Sequence, residues 1–124
     1  MNLTILYVED DRLISAGVAE LLGGEGFSVE VCADGLTALA LIEGGAHYDL
    51  IMLDNELPRM GGVELARRAR QTAHRRRTPI VMLSASEADA EAREAGADLF
   101  LRKPQDVGLI VRAVERLVGR ERGS

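Results

Sequence analysis

Five short apolar runs recur along the chain: LTILYV (3–8), SVEVCA (28–33), DLIMLD (49–54), PIVMLSA (79–85) and ADLFLRK (97–103). The first, third and fourth are apolar on both alternating faces, as a strand covered on both sides of a parallel sheet must be. The second alternates Val29 and Val31 against Ser28 and Glu30, which predicts a more exposed strand, at an edge. Helical patterns fill the gaps. DRLISAGVAELLGGEG places Ile14, Val18, Leu21 and Leu22 on one stripe, with Gly23–Gly24 as its stop. DGLTALALIEGG does the same with Ala38, Leu39 and Ile42. GGVELARRARQ sets Val63 and Ala66 on one side and its arginines on the other. SEADAEAREAGAD is Ala-rich and ends at Gly96. QDVGLIVRAVERLVGR carries a broad stripe of Val107, Ile110, Val111, Val114, Leu117 and Val118. Strand and helix thus alternate five times, which predicts an α/β domain, doubly wound, with a five-stranded parallel sheet and helices on both faces.

Composition sharpens this picture only in places. A length of 124 residues suits one domain, and 47% hydrophobic residues suffice for a core. Aromatics are only 3%, so aliphatic side chains must do the packing. The net charge of −5 argues against direct nucleic-acid binding. The single cysteine, Cys32, rules out an internal disulfide and suits a reducing cytoplasm. The start MNLTILYVED has neither the basic region nor the long apolar run of a signal peptide, and no run is long enough to span a membrane. A soluble cytoplasmic domain is expected, residues 1–119, with a frayed tail over 120–124.

Ligands of an open parallel sheet bind outside the carboxyl ends of its strands. Glu9, Asp10 and Asp11 follow the first run, Asp54 the third, Ser84 the fourth, and Lys103 with Pro104 the fifth. Carboxylates gathered in this way repel one another, and one would take up a proton unless a cation compensates. Hard oxygen donors in that number suit Mg²⁺ (or Mn²⁺). A Lys and a hydroxyl nearby would hold the remaining oxygens of a phosphoryl group. The pattern reads as metal-assisted handling of a phosphoryl group, with Asp54 able to serve as covalent acceptor.

The motifs LYVEDD, DLIMLDNELPRMGG, PIVMLSA and AGADLFLRKP, in this order, resemble the receiver domain of bacterial two-component response regulators. Asp10 and Asp54 lie 44 positions apart and Asp54 and Ser84 lie 30 apart, spacings similar to the family's. The resemblance covers essentially the whole chain. It implies a (βα)5 fold with strand order 2-1-3-4-5, flavodoxin-like and CheY-like. It implies that Asp54 is the phosphoacceptor, that Asp10 binds Mg²⁺ directly, and that Glu9 acts mostly through a bound water. The backbone carbonyl of Glu56 would be a further metal ligand. Lys103 would pair with Asp54 and its phosphoryl group, and Ser84 would bind a phosphoryl oxygen. Ser84 and Phe100 would form the switch, and the Lys103–Pro104 bond would be cis. The implied partners are a sensor histidine kinase or phosphotransfer protein and a downstream protein target, with a homodimer as a further option. The chain suits either a stand-alone receiver or the amino-terminal piece of a longer regulator.

Three features depart from the family pattern. Ser84 and Lys103 lie 19 positions apart, about three fewer than is usual, close to one helical turn, so the fourth helix or the loop before it should be short. Glu56, two residues beyond Asp54, can bring its carboxylate towards an attacking water. Phe100 lacks the hydroxyl of the more frequent Tyr. Two further functions compete with the phosphoacceptor switch. One is a degenerate receiver that binds partners without phosphorylation, kept open by the short fourth helix. The other is a small aspartyl-phosphate phosphatase, disfavoured because the acidic pair comes first in the chain. The remaining residues have simpler readings. Asp11 opens the first helix. Arg75, Arg76 and Arg77 form a solvated end of the third helix. His47 and His74 lie at the surface, Cys32 is a small buried hydrophobe, Met52 and Met82 belong to the core, and Met60 covers the site.

Overall fold

The computed structural model describes residues 2–119; the tail expected over 120–124 lies outside the described residues. The strands are β1 (Thr4–Val8), β2 (Ser28–Cys32), β3 (Leu50–Asp54), β4 (Ile80–Ser84) and β5 (Leu99–Arg102). The helices are α1 (Arg12–Gly24), α2 (Gly35–Glu43), α3 (Gly62–Gln71), α4 (Asp89–Glu94) and α5 (Ile110–Leu117). Short 3₁₀ turns, Ala73–Arg75 and Val107–Leu109, precede β4 and α5. All strand pairs are parallel, in the order β2-β1-β3-β4-β5. As its alternation predicts, β2 lies at an edge.

The two-residue period of the inner strands divides the core in two. Leu6, Val8, Ile51, Leu53, Ile80 and Met82 face one side, under α2, α3 and α4. Ile5, Tyr7, Leu50, Met52, Val81 and Leu83 face the other, under α1 and α5. Every residue of β3 and β4 is buried. The ends of these strands are therefore held from both sides, and β3 is the stiffest mount available for its last residue, Asp54.

The helix ends follow local chemistry. Asp11 caps α1, accepting from the N–H groups of Leu13 at 2.9 Å and Ile14 at 3.1 Å. Asp34 caps α2 through Thr37. The Gly23–Gly24 pair does not stop α1. The helix runs through both glycines, and the left-handed residue is Gly26, with φ +92°. Phe27 N–H bonds Leu22 O at 3.2 Å and Gly26 N–H bonds Gly23 O at 3.0 Å, the two bonds of a Schellman turn. Phe27 and Leu22 both enter the core there, and that burial selects the third glycine rather than the first. On the predicted α1 stripe Val18 and Leu22 are buried, but Leu21 is 46% exposed. The α4 helix has only six residues, and Gly96, with φ +105°, ends it by a second turn of this kind.

Arg75 departs most from expectation. It is not a solvated helix end but a buried side chain, 2% exposed. Its guanidinium donates to the carbonyls of Ile42 at 2.9 Å, Leu41 and Gly44 at 3.3 Å, and Ala46 at 2.5 Å. It also lies 4.9 Å over the ring of Tyr48. These carbonyls terminate α2, where a helix leaves acceptors without internal partners. The planar five-donor fork of Arg is suited to serve several of them together. His74 and His47 are exposed as expected, and their Nε2–H groups donate to Gly44 O and Asp49 Oδ1 respectively.

Truncation of Arg75 strands these acceptors in a dry site, so Arg75→Ala should destabilise the domain by about 3 kcal/mol. Arg76→Ala and Arg77→Ala, at exposed positions, should stay within ~0.5 kcal/mol of the parent. Urea unfolding of the three variants checks this; equal midpoints would refute the structural role of Arg75.

Candidate functional site

The residues singled out by strand ends converge at the carboxyl edge of the sheet. β1 delivers Glu9, whose N–H is fixed to Cys32 O at 2.9 Å, and Asp10 beside it. β3 delivers Asp54, and parallel pairing places Ser84 of β4 one step beyond the Asp54–Leu83 register. Carboxylate oxygens of Glu9, Asp10 and Asp54 lie within 4.8 Å of one another. Glu9 and Asp54 are each only 2% exposed, whereas Asp10 is open to solvent.

Lys103, beyond β5, reaches into this cluster. Its Nζ lies 3.1 Å from Glu9 Oε1 and 3.3 Å from Asp54 Oδ2. The Lys103–Pro104 bond is cis, as the sequence led us to expect. Burial pushes the Glu9 carboxyl up to about 7, and Asp54 beside it adds to the rise; Lys103 and the Asp11 N–H oppose it. Burial pulls Lys103 down, but Glu9 and Asp54 outweigh it and hold the ammonium above its usual range. Tyr7 lies below the cluster, its hydroxyl 3.5 Å from Glu9 Oε1, and burial followed by the charges of Glu9 and Asp54 raises it strongly.

The site thus carries three carboxylates against one ammonium. That excess of hard anionic oxygen fits a divalent cation such as Mg²⁺, which Glu9, Asp10 and Asp54 would hold. Tyr7 was not singled out from the sequence. Its position two residues before Glu9, on the same face of β1, was the available signal.

After Asp54 the chain breaks sharply. Glu56 N–H returns to Asp54 Oδ1 at 3.1 Å. Asn55 Oδ1 accepts from Val63 N–H at 3.0 Å, tying the loop to the first turn of α3. Gly62 is required here, because a Cβ would stand 2.7 Å from Asp54 O and 2.6 Å from Met82 Sδ. Met60 packs against the core cluster under α2 and α3. Phe100, paired with Met82 across the sheet, is half-buried against the same cluster.

Glu56 takes a course not foreseen. Its carboxylate turns onto the loop after β4. The Ser84 hydroxyl donates to Glu56 Oε2, Ala85 N–H donates to Glu56 Oε1 at 2.9 Å, and the Ser86 hydroxyl donates to Oε2 at 3.3 Å. Burial pushes the Glu56 carboxyl up, but these donors and the Lys103 charge outweigh it and hold it below its usual value.

A cleft of about 280 Å³ opens beside the cluster, lined by Leu13, Ile14 and Leu21 of α1 and by Lys103, Pro104 and Val107. Leu13 is 88% exposed on its rim. A larger cleft of about 610 Å³, around His47, His74, Arg76 and Arg77, lies at the opposite edge of the sheet, away from the carboxylates. Among the described residues no helix is long and apolar enough to cross a membrane.

Comparison with known proteins agrees with this geometry. The family model of the response regulator receiver domain matches residues 5–115. The transcriptional regulatory protein CpxR of Klebsiella pneumoniae is 36% identical over 123 residues, which are 97% of this chain and 51% of that protein. The chain therefore spans about half the length of such curated relatives. The chemotaxis response regulator CheY4 of Vibrio cholerae superposes with a TM-score of 0.87 at 31% identity, covering 94% of this chain and 99% of that one. The receiver domain of the sensor histidine kinase PA1611 of Pseudomonas aeruginosa, solved with a magnesium ion coordinated in its active site cleft, gives 0.86 at 31% identity, covering 96% and 99%. Sequence and three-dimensional likeness agree over almost the full length, and the chain belongs to the response regulator receiver domain family of two-component systems.

Proposed function

We propose that this receiver domain is a Mg²⁺-dependent phosphoacceptor switch in which Asp54 accepts a phosphoryl group from the phosphohistidine of a sensor histidine kinase or phosphotransfer protein. The observation that carries this reading is the placement of Asp54: buried at the end of β3, with Lys103 Nζ at 3.3 Å and carboxylate oxygens of Glu9 and Asp10 within 4.8 Å. In the reaction an Asp54 oxygen attacks phosphorus as the P–N bond to imidazole breaks. The bonding pair leaves with the imidazole nitrogen, and an acyl phosphate remains. Little covalent work falls to the protein; positioning and charge compensation dominate.

Asp10, Asp54 and the Glu56 carbonyl would hold Mg²⁺ with Glu9 acting through a water, and the ion would offset the charge of the incoming phosphoryl group. Lys103 neutralises one carboxylate at rest and one phosphoryl oxygen afterwards. The Ser84 hydroxyl and Ala85 N–H point to the same edge and would receive another oxygen. Phe100 would fill the space released as Ser84 is drawn in, changing the surface of α4, β5 and α5 for a cytoplasmic protein target or a second copy of the chain. The donor protein would dock in the apolar cleft beside α1, because Lys103 lines both that cleft and the acceptor site.

Acetyl phosphate with Mg²⁺ should add one phosphoryl group to the intact protein, read by mass. The gain should vanish in Asp54→Ala and after chelation, and should form about 100-fold more slowly in Lys103→Ala. Absence of any gain in the parent protein would instead favour a degenerate interaction module. Turnover of unrelated phosphoesters would favour a phosphatase.

Leu13→Glu separates docking from chemistry. With the kinase that transfers fastest to the parent among those of the host, transfer should fall about tenfold, the equivalent of ~1.4 kcal/mol. Labelling by acetyl phosphate should not change, and a parallel loss of both would argue against the cleft as a docking site.

A further inference from the structure

We propose that Glu56 is an internal anion seated in the donors that a phosphoryl oxygen would need, a clasp that holds the β4–α4 loop at rest and must be displaced when Asp54 is loaded. The proposal rests on the phosphoacceptor reading and adds to it a built-in competitor.

Its basis is the set of contacts made by one carboxylate. Three donors from consecutive residues close on Glu56: the Ser84 hydroxyl, Ala85 N–H at 2.9 Å and the Ser86 hydroxyl at 3.3 Å. The cradle is tightened from within, since Ser86 N–H donates to Ser84 Oγ at 3.0 Å and the two hydroxyl oxygens lie 2.8 Å apart. Ser84 is fully buried, so water does not replace a departing partner without movement of the loop. One backbone amide aimed at Oε1 and two hydroxyls aimed at Oε2 form a cradle for the two oxygens of one anion, here already filled.

The occupant is tied to the acceptor. Glu56 N–H donates to Asp54 Oδ1 at 3.1 Å, so the backbone that positions Asp54 also carries the competing carboxylate. A phosphoryl group on Asp54 brings about two negative charges to the same few ångströms. Two anions cannot share the Ser84 and Ala85 donors, because each fills their hydrogen-bonding capacity and repels the other. Glu56 must then swing to solvent, which its exposed position allows. Its departure frees Ser84, Ala85 and Ser86 together. The clasp therefore makes loop release and loading of Asp54 one coupled event.

Trifluoroberyllate with Mg²⁺ supplies a phosphoryl-like anion without turnover. Glu56→Ala should bind it about tenfold more tightly than the parent, read by titration of amide resonances, which corresponds to ~1.4 kcal/mol. Glu56→Gln keeps one acceptor oxygen, enough for Ala85 N–H or for the Ser84 hydroxyl but not for both, and should gain roughly threefold, less than Ala because the clasp is weakened rather than removed. Glu87→Gln removes an exposed charge from the same loop without touching the cradle and should match the parent. In the resting protein without Mg²⁺, Ala85 N–H should exchange with solvent at least about tenfold faster in Glu56→Ala. Equal trifluoroberyllate affinities for parent and Glu56→Ala, or unchanged Ala85 exchange, would overturn the clasp while leaving Asp54 as acceptor. If neither protein binds trifluoroberyllate or gains mass from acetyl phosphate, the phosphoacceptor reading itself fails, and with it a competitor for that site.

Discussion

Lys103 sits between two buried carboxylates, 3.1 Å from Glu9 and 3.3 Å from Asp54, and the working edge of the domain is arranged around that contact. Taken out of water side by side, Glu9 and Asp54 would each raise the energy of the other's charged form. One ammonium cannot neutralise both, and Asp10 brings a third carboxylate to the rim. The remaining imbalance appears as the raised Glu9 carboxyl, about 7, where burial dominates and Asp54 adds to it. The fold tolerates this because the strands beneath cannot relax: β3 and β4 are buried along their whole length between two cores. The site is thus left with an excess of negative charge that a cation would offset, and on the proposed reading that cation would let a phosphoryl group be accommodated beside Asp54.

Much of this was legible in the sequence because it rests on short-period pattern. The doubly apolar runs mark β1, β3 and β4, the alternating run marks edge strand β2, and the residues after each run name Glu9, Asp10, Asp54, Ser84 and Lys103. The shortness of α4 could be read from the spacing of Ser84 and Lys103. What escaped depends on contacts far apart in the chain. Arg75 reads as one of a surface triplet; only the ends of α2 and the loop to β3, some 30 residues earlier, make it a buried clamp. Nothing local distinguishes it from Arg76 and Arg77. Glu56 reads as a neighbour of Asp54, yet its carboxylate is spent on Ser84, Ala85 and Ser86, nearly 30 residues later. At Gly23, Gly24 and Gly26 the error was one of selection: all three can end a helix, and the core position of Phe27 decides which does.

The two edges of the sheet are held by different chemistry. At the amino edge, cationic side chains grip backbone carbonyls. Arg75 closes the end of α2, and Arg70 joins α3 to the end of α4 and the start of β4 through Gly96 O at 3.0 Å, Arg75 O at 2.9 Å and Thr78 O at 2.7 Å. Asp98 continues the network, accepting from Arg70 at 2.9 Å and from Ile80 N–H at 2.8 Å. Carbonyl acceptors are fixed by the fold and have no competitor in solution, so these straps persist whatever binds elsewhere. At the carboxyl edge the loop after β4 is held by an anion, Glu56, and another anion can take its place.

That asymmetry determines where a change at Asp54 can travel. The strap at Gly96 and Asp98 pins the carboxyl end of α4 and the entry to β5, so α4 cannot translate as a body. With only six residues it also has no long lever to swing. The movable part is the stretch from Ala85 to the first turn of α4, whose resting position depends on the Glu56 clasp, the exposed contact of Glu87 with Arg102 at 3.5 Å adding little. On the proposed phosphoacceptor reading, the part of the α4, β5 and α5 surface that responds would be concentrated in that loop and the adjoining face of Phe100. A partner of the proposed loaded state would then read a short, local rearrangement rather than the displacement of a whole helix.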